Sequence, residues 1–209
     1  MTEPNPSTRE KRALITGVGG FLGSNLALHL LKHSWSVWGS WHAKDPALQG
    51  VQGQVLDVCL PDSVNALVEA CRPQVIYHLA AIADPDACAD DEPAARQINV
   101  QGAKLVAIAA KRAGARMVFI STDQVFDGTR SLWKESDLPM PLGAYGRSKR
   151  DAEKAVFEVG GDDALIVRLA LTYGWGRGGA KGRNFAEKWL RLLLTGGRMQ
   201  AFTDQWRTP

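Results

Sequence analysis

Short runs of consecutive apolar residues alternate along this chain with longer stretches in which apolar residues recur every three or four positions. The short runs "RALITG" (12–17), "WSVWGSW" (35–41), "QVLDV" (54–58), "QVIYHLAA" (74–81), "RMVFIST" (116–122) and "ALIVRLA" (164–170) each predict a buried strand. The stretches between them predict helices. One is "FLGSNLALHLLKH" from Phe21, and another is "DSVNALVEACR" with Asp62 as its cap. A single long helix, "PAARQINVQGAKLVAIAAKRAG", ends at Gly114, and the next runs from about Gly143 to Val159. "NFAEKWLRLLLTG" is a last helix, and "MQAF" is the candidate start of a seventh strand. Strand–helix alternation with nearly all-apolar strands implies an α/β fold: a doubly wound, Rossmann-type parallel sheet covered on both faces. Such a sheet binds ligands beyond the carboxyl ends of its strands.

Composition narrows the function classes. The chain has 209 residues, 45% of them hydrophobic and 22% charged, as in a globular protein with one full core. A net charge of +3, dispersed along the chain, gives no footprint for nucleic acid. No apolar stretch reaches the ~20 residues that span a bilayer. The opening "MTEPNPSTREKR" lacks the apolar core of a signal peptide, so residues 1–11 are read as a flexible tail and the protein as cytoplasmic. Cys59, Cys71 and Cys88 show no metal-ligand spacing and are read as packing residues; no metal site is expected. His29 and His33, four apart, lack the glutamate of a zinc-protease helix and read as a surface pair.

Two motifs fall where ligands bind such a sheet. "TGVGGFLG" sets Gly17, Gly20 and Gly23 between the first strand and the first helix, with Phe21 and Leu22 opening that helix. Glycines there allow a tight turn and let a pyrophosphate approach the helix N-terminus. In "AYGRSK", Tyr145 and Lys149 stand four apart, on one helix face. A free tyrosine ionises near pH ~10, and an adjacent ammonium lowers that value, which fits Tyr145 for acid–base work near neutrality. At the end of the second strand, "GSWHAKD" offers His42 and Lys44 before Asp45. Basic residues there lean toward NADP over NAD, although the same residues also suit a solvated loop.

These residues together resemble the extended short-chain dehydrogenase/reductase superfamily: TGxxGxxG, "LDV" with Asp57, "HLAA" at 78–81, Asn99 and the Tyr145/Lys149 pair. "STDQVFDG" (121–128), "WKESDLPMPLGAYGRSK" and the final "DQWRTP" are similar to its dTDP-4-dehydrorhamnose reductase branch. The resemblance implies NADPH-dependent reduction of the 4-keto group of a nucleotide-linked deoxysugar, NAD(H) being possible as cofactor. It implies that Thr122 hydrogen-bonds the substrate oxygen, that Tyr145 transfers its proton, and that Lys149 lowers the tyrosine's pKa and holds the nicotinamide ribose. Asn99 supports the proton path. Asp57 and Val58 meet the adenine, and Ala80 and Ala81 the cofactor backbone, alongside His42 and the glycine turn. Asp123, Gln124, Leu171 and Asn184 join Thr122 and Tyr145 on the sugar side. Plainer roles stand beside these: Thr122 as a turn cap, Asp57 as a loop residue, Asn99 facing solvent, the alanines as close packing.

The chain departs from the branch at Gln124, where a tyrosine is usual, and at Leu171, where a tryptophan is common. It also stops at Pro209, so residues 12–175 are expected to form the NAD(P)-binding domain and 176–209 the start of an incomplete sugar-binding region. Arg177, Lys181 and Arg183 either help to hold a diphosphate or form a solvated loop. A homodimer is possible by analogy. Two other activities remain open: an NAD-dependent nucleotide-sugar epimerase or dehydratase, and a non-catalytic NADP-binding regulatory subunit. For the last, Trp35, Trp38 and Trp41 are either a contact surface or edge packing.

Overall fold

A computed structural model describes residues 10–178 and 184–199. The expectations for the tail before Glu10, for Lys181 and Arg183, for most of "MQAF" and for "DQWRTP" lie outside the described residues. Six strands form one parallel sheet: β1 (Arg12–Thr16), β2 (Ser36–Trp41), β3 (Val51–Val55), β4 (Val75–His78), β5 (Arg116–Thr122) and β6 (Ala164–Leu169). Their order is β3-β2-β1-β4-β5-β6, so the chain reverses direction across the sheet between β1 and β4. That is the switch point at which such sheets open a crevice.

Alternation along β1 builds both faces. Leu14 joins a core with Ile76, Phe119 and Val106, while Ala13 and Ile15 join a second core with Ala27 and Val37. The first is covered by α2 (Pro61–Cys71), α5 (Ala103–Ala113) and α6 (Ala144–Gly160), the second by α1 (Phe21–Lys32). Trp38 packs on the first core and Trp35 and Trp41 on the second, so edge packing accounts for the tryptophan cluster. His29 on α1 and His33 at its C-terminal cap are an exposed pair, their rings 4.5 Å apart and tilted by 48°.

Two expectations need correction. The third strand lies three residues earlier than "QVLDV". As an edge strand it leaves Gln52–Val55 exposed, while Leu56 and Val58 turn inward beyond its end. Asp62 does not cap α2: Pro61 opens that helix, Leu60 precedes it without a side-chain cap, and Asp62 sits in the first turn. The long helix is continuous, as expected: Asp91 caps α4 (Glu92–Arg96), and a π-helical turn over Gln97–Gly102 carries the helical backbone into α5. A separate short helix, α3 (Pro85–Asp90), capped by Asp84, precedes it. Gly114 ends α5 in the left-handed conformation, as expected (φ +65°). The final helix, α7 (Phe185–Leu194), is capped by Asn184.

Candidate active site

A cavity of about 1030 Å³ opens at the β1–β4 switch point. The glycine turn after β1 forms its floor, with Gly17, Gly20, Phe21, Leu22 and Gly23 all on its wall. The turn is compact because it must be. A Cβ on Gly17 (φ +71°) would lie 2.8 Å from the Ala80 nitrogen, and one on Gly23 would lie 2.6 Å from the Gly17 oxygen. α1 starts at Gly20 with no side-chain cap and no acidic residue in its first turn, so its positive end faces the cavity unneutralised. Thr16 secures the opposite wall: its hydroxyl accepts from the Leu79 and Ala80 nitrogens (3.2 and 3.3 Å).

At one end of the cavity lie His42, Lys44, Asp57 and Val58, and at the other Tyr145 and Lys149; Ala80 and Ala81 line it between them. Two carboxylates at the first end serve their own loops, Asp45 accepting from the Ala47 nitrogen (2.7 Å) and Asp57 from the Cys59 nitrogen (2.8 Å). Gln97 and Ile98, on the π-helical turn, also line the cavity and carried no sequence signal.

Thr122 is among the groups that act on the Tyr145 hydroxyl, favouring its ionised form. Thr122 ends β5, donates to Asp123 (3.0 Å) and accepts from the Gln124 nitrogen (3.2 Å), so it also caps the turn that follows. Burial pushes the Tyr145 pKa up to about 12, aided by Cys88 and Asp123 and opposed by Thr122. This reverses the expected direction. Lys149 is itself buried at 4% exposure, and desolvation brings its pKa down to about 7 although Glu153 and Cys88 favour its charge. The lysine nitrogen sits 4.1 Å from the centroid of the Phe119 ring.

Asn99 is 1% exposed, not solvent-facing. Its oxygen accepts from the Ile82 nitrogen (2.8 Å), and its amide donates to the Ile82 oxygen (3.0 Å) and the Ser148 hydroxyl (2.9 Å). Ser148 in turn donates to the Tyr145 carbonyl (2.8 Å). The π-helical turn thus aims Asn99 between the cavity wall after β4 and the helix that carries Tyr145.

Of the expected sugar-side residues, Tyr145 lines this cavity, whereas Thr122, Asp123, Gln124, Leu171 and Asn184 do not. Asp123 and Gln124 follow Thr122 in a short 3-10 turn. Leu171 is 38% exposed. Asn184 is buried and caps α7, accepting from the Ala186 nitrogen (2.9 Å) and donating to the Thr172 oxygen (3.1 Å). Thr172 itself reaches the cavity.

Comparison with known proteins agrees with this geometry. The family model described as RmlD substrate binding domain matches residues 11–209. The chain is 34% identical over 176 residues to methionine adenosyltransferase 2 subunit beta of Pongo abelii, covering 83% of this chain and 51% of that one. It is 34% identical over 199 residues to dTDP-4-keto-6-deoxy-D-glucose reductase of Streptomyces niveus, covering 95% of this chain and 64% of that one. Among solved structures, dTDP-4-dehydrorhamnose reductase from Bacillus anthracis in complex with NADP superposes with a TM-score of 0.76 at 32% identity, covering 92% of this chain and 62% of that one. The chain spans about half the length of the first of these curated relatives.

Proposed function

The chain belongs to the RmlD substrate-binding domain family, and from that premise we propose that it serves NADPH-dependent reduction of the 4-keto group of a nucleotide-linked deoxysugar, dTDP-linked by resemblance. The observation that carries this reading is the one cavity lined both by the glycine turn and by Tyr145 and Lys149, with Thr122 acting on the tyrosine hydroxyl. The glycine turn and the uncapped start of α1 suit a pyrophosphate, and Asp57 and Val58 stand where an adenine would rest. His42 and Lys44 line the cavity beside Asp45, whose carboxylate accepts from the Ala47 nitrogen, and the two basic residues favour a ribose that carries a phosphate. When bound, a dihydronicotinamide would supply a hydride to the carbonyl carbon.

The chain's own part is the proton. Tyr145, protonated well above neutrality, is a donor to the oxygen that becomes an alkoxide, and Thr122 gives that oxygen a second hydrogen bond. Lys149, with a pKa of about 7, carries a proton that can replace the one the tyrosine gives up. In this reading residues 12–175 form the dinucleotide-binding unit and residues from 176 onward begin the sugar-binding region. The protein acts in the cytoplasm; among the described residues, no helix is long and apolar enough to cross a membrane.

A second reading, a regulatory subunit that binds the dinucleotide without turning over a sugar, is favoured by the identity to methionine adenosyltransferase 2 subunit beta. Loss of NADPH absorbance on adding dTDP-4-keto-6-deoxy sugars, measured beside NADPH binding, separates the two. Binding with sugar-dependent oxidation supports the reductase. Binding without oxidation of either NADPH or NADH favours the regulatory subunit.

A further inference from the structure

Behind Lys149 lies a second charged group that no cavity reaches. Glu153, one helical turn further along α6, is 5% exposed. Three bonds converge on its carboxylate: the Ser121 hydroxyl donates to one oxygen, and Arg168 of β6 donates to both, at 3.0 and 2.7 Å. Positions i and i+4 on a helix share a face, so this carboxylate lies on the same face of α6 as the lysine, and it favours the lysine's charge through space while its direct ion pair is with Arg168. A buried ammonium needs such compensation, because desolvation by itself favours the neutral amine.

The other groups that face Lys149 do not provide it. His78 on β4 is fully buried, and burial, reinforced by the lysine charge, lowers its pKa to about 3, so it is neutral. Burial likewise raises the Cys88 thiol of α3, which keeps it protonated near neutrality. From β5 comes only the face of the Phe119 ring, and from α6 itself the protonated hydroxyl of Tyr145. Asp123 acts on Tyr145 and is not among the groups that shift the lysine.

We propose that Glu153, held by Arg168 and Ser121 on the Lys149 face of α6, is a positioning residue that keeps the Lys149 ammonium charged. The placement also links the site's elements. Ser121 immediately precedes Thr122, and the Arg168 guanidinium lies 5.0 Å from the Phe126 ring, which stacks on Trp133 in the loop before α6. One carboxylate therefore ties β5, β6 and α6 at the point where Thr122, Tyr145 and Lys149 must keep register. The purpose assigned to the lysine rests on the reductase reading; its electrostatic dependence on Glu153 does not.

The test is an NMR titration of the folded chain with 13C at the lysine ε-carbons, the Lys149 signal assigned by its loss in Lys149→Arg. Neither dinucleotide nor sugar is present, so the result does not depend on whether the protein is a reductase. Glu153→Gln keeps the side-chain shape and removes the charge, and the Lys149 midpoint falls by about one unit, roughly fivefold less ammonium at pH 7. Ser121→Ala removes a bond to the carboxylate without touching its charge, and the midpoint stays within about 0.3 units. Equal shifts in the two variants, or none in Glu153→Gln, would overturn the proposal. Should Glu153→Gln not fold, the wild type decides. The Glu153 side-chain carboxyl carbon shows an inflection at the pH where Lys149 titrates if the two are coupled, and a flat trace there rejects the coupling.

Discussion

Replacing Gly17 by alanine tests the floor of the cavity, and Gly114 supplies its internal control. Both glycines have positive φ, +71° and +65°, so an alanine at either carries the left-handed strain of roughly 1–2 kcal/mol. They differ in what surrounds the new methyl group. At Gly114 nothing lies within 4 Å, whereas at Gly17 the Cβ would sit 2.8 Å from the Ala80 nitrogen and 3.0 Å from its Cα. Those neighbours are backbone atoms and cannot swing away, which adds an overpacking cost of about 1–3 kcal/mol. Gly114→Ala is therefore expected to lose roughly 1–2 kcal/mol of stability and Gly17→Ala about 2–5 kcal/mol in urea titration. At ~2–4 °C per kcal/mol for a chain of this size, calorimetry should separate the two variants by several degrees. The displaced Ala80 backbone is part of the cavity wall, so NADPH affinity, read by fluorescence titration, should fall at least about tenfold in Gly17→Ala and not at all in Gly114→Ala. Equal stability loss in both variants, with NADPH affinity retained in Gly17→Ala, would refute the close-packing argument.

Asn99→Ala removes the three hydrogen bonds of a buried side chain and strands the Ile82 amide, while the Ile82 carbonyl keeps the Cys88 thiol as a donor. A loss of about 2–4 kcal/mol in urea titration is expected, with turnover falling because Tyr145 loses its support through Ser148; a loss below ~1 kcal/mol contradicts the network. His78 is neutral when folded down to about pH 3 but binds a proton near pH 6.5 when unfolded, so the unfolded state holds more protons between those values. Stability should fall as pH drops through that window, and His78→Phe should flatten the slope in pH-dependent denaturation. Lys149 lowers stability at and below about pH 7, where it is charged in both states, and stability should rise above that toward pH 10.5. Cys71, raised by burial to about 12, opposes this rise above pH 9, so the gain is clearest between pH 7 and 9; Lys149→Met should remove it.

The strands inside the sheet were legible because both faces are buried, which forces apolar residues at nearly every position of β1. β3 escaped because an edge strand needs no such pattern: its residues are mostly polar or glycine, and the apolar pair Leu56 and Val58 beyond it imitates a strand. The start of the long helix was written locally, in Asp91 two residues before Pro93, an N-cap followed by a proline in the first turn. The π-helical turn was not, because its occasion is tertiary: Asn99 must reach Ile82 and Ser148 together.

Spacing placed Tyr145 and Lys149 on one face but could not weigh burial against the field of the lysine, and burial decides the tyrosine's direction. Ser121, Glu153 and Arg168 sit on three separate elements, and only the packing of α6 across β5 and β6 makes them a unit. Asn184 was singled out by position, whereas its chemistry is that of a helix cap.

The central claim is that Tyr145 gives a proton to a sugar oxygen at the end of a dinucleotide cavity. The direct measurement is sugar-dependent NADPH oxidation by the wild type and by Tyr145→Phe, with dTDP-4-keto-6-deoxy sugars, beside NADPH binding by each. The account predicts oxidation by the wild type, at least about a hundredfold slower in the variant, with NADPH affinity unchanged. Equal rates in the two proteins, or NADPH binding with no oxidation by the wild type, would contradict it.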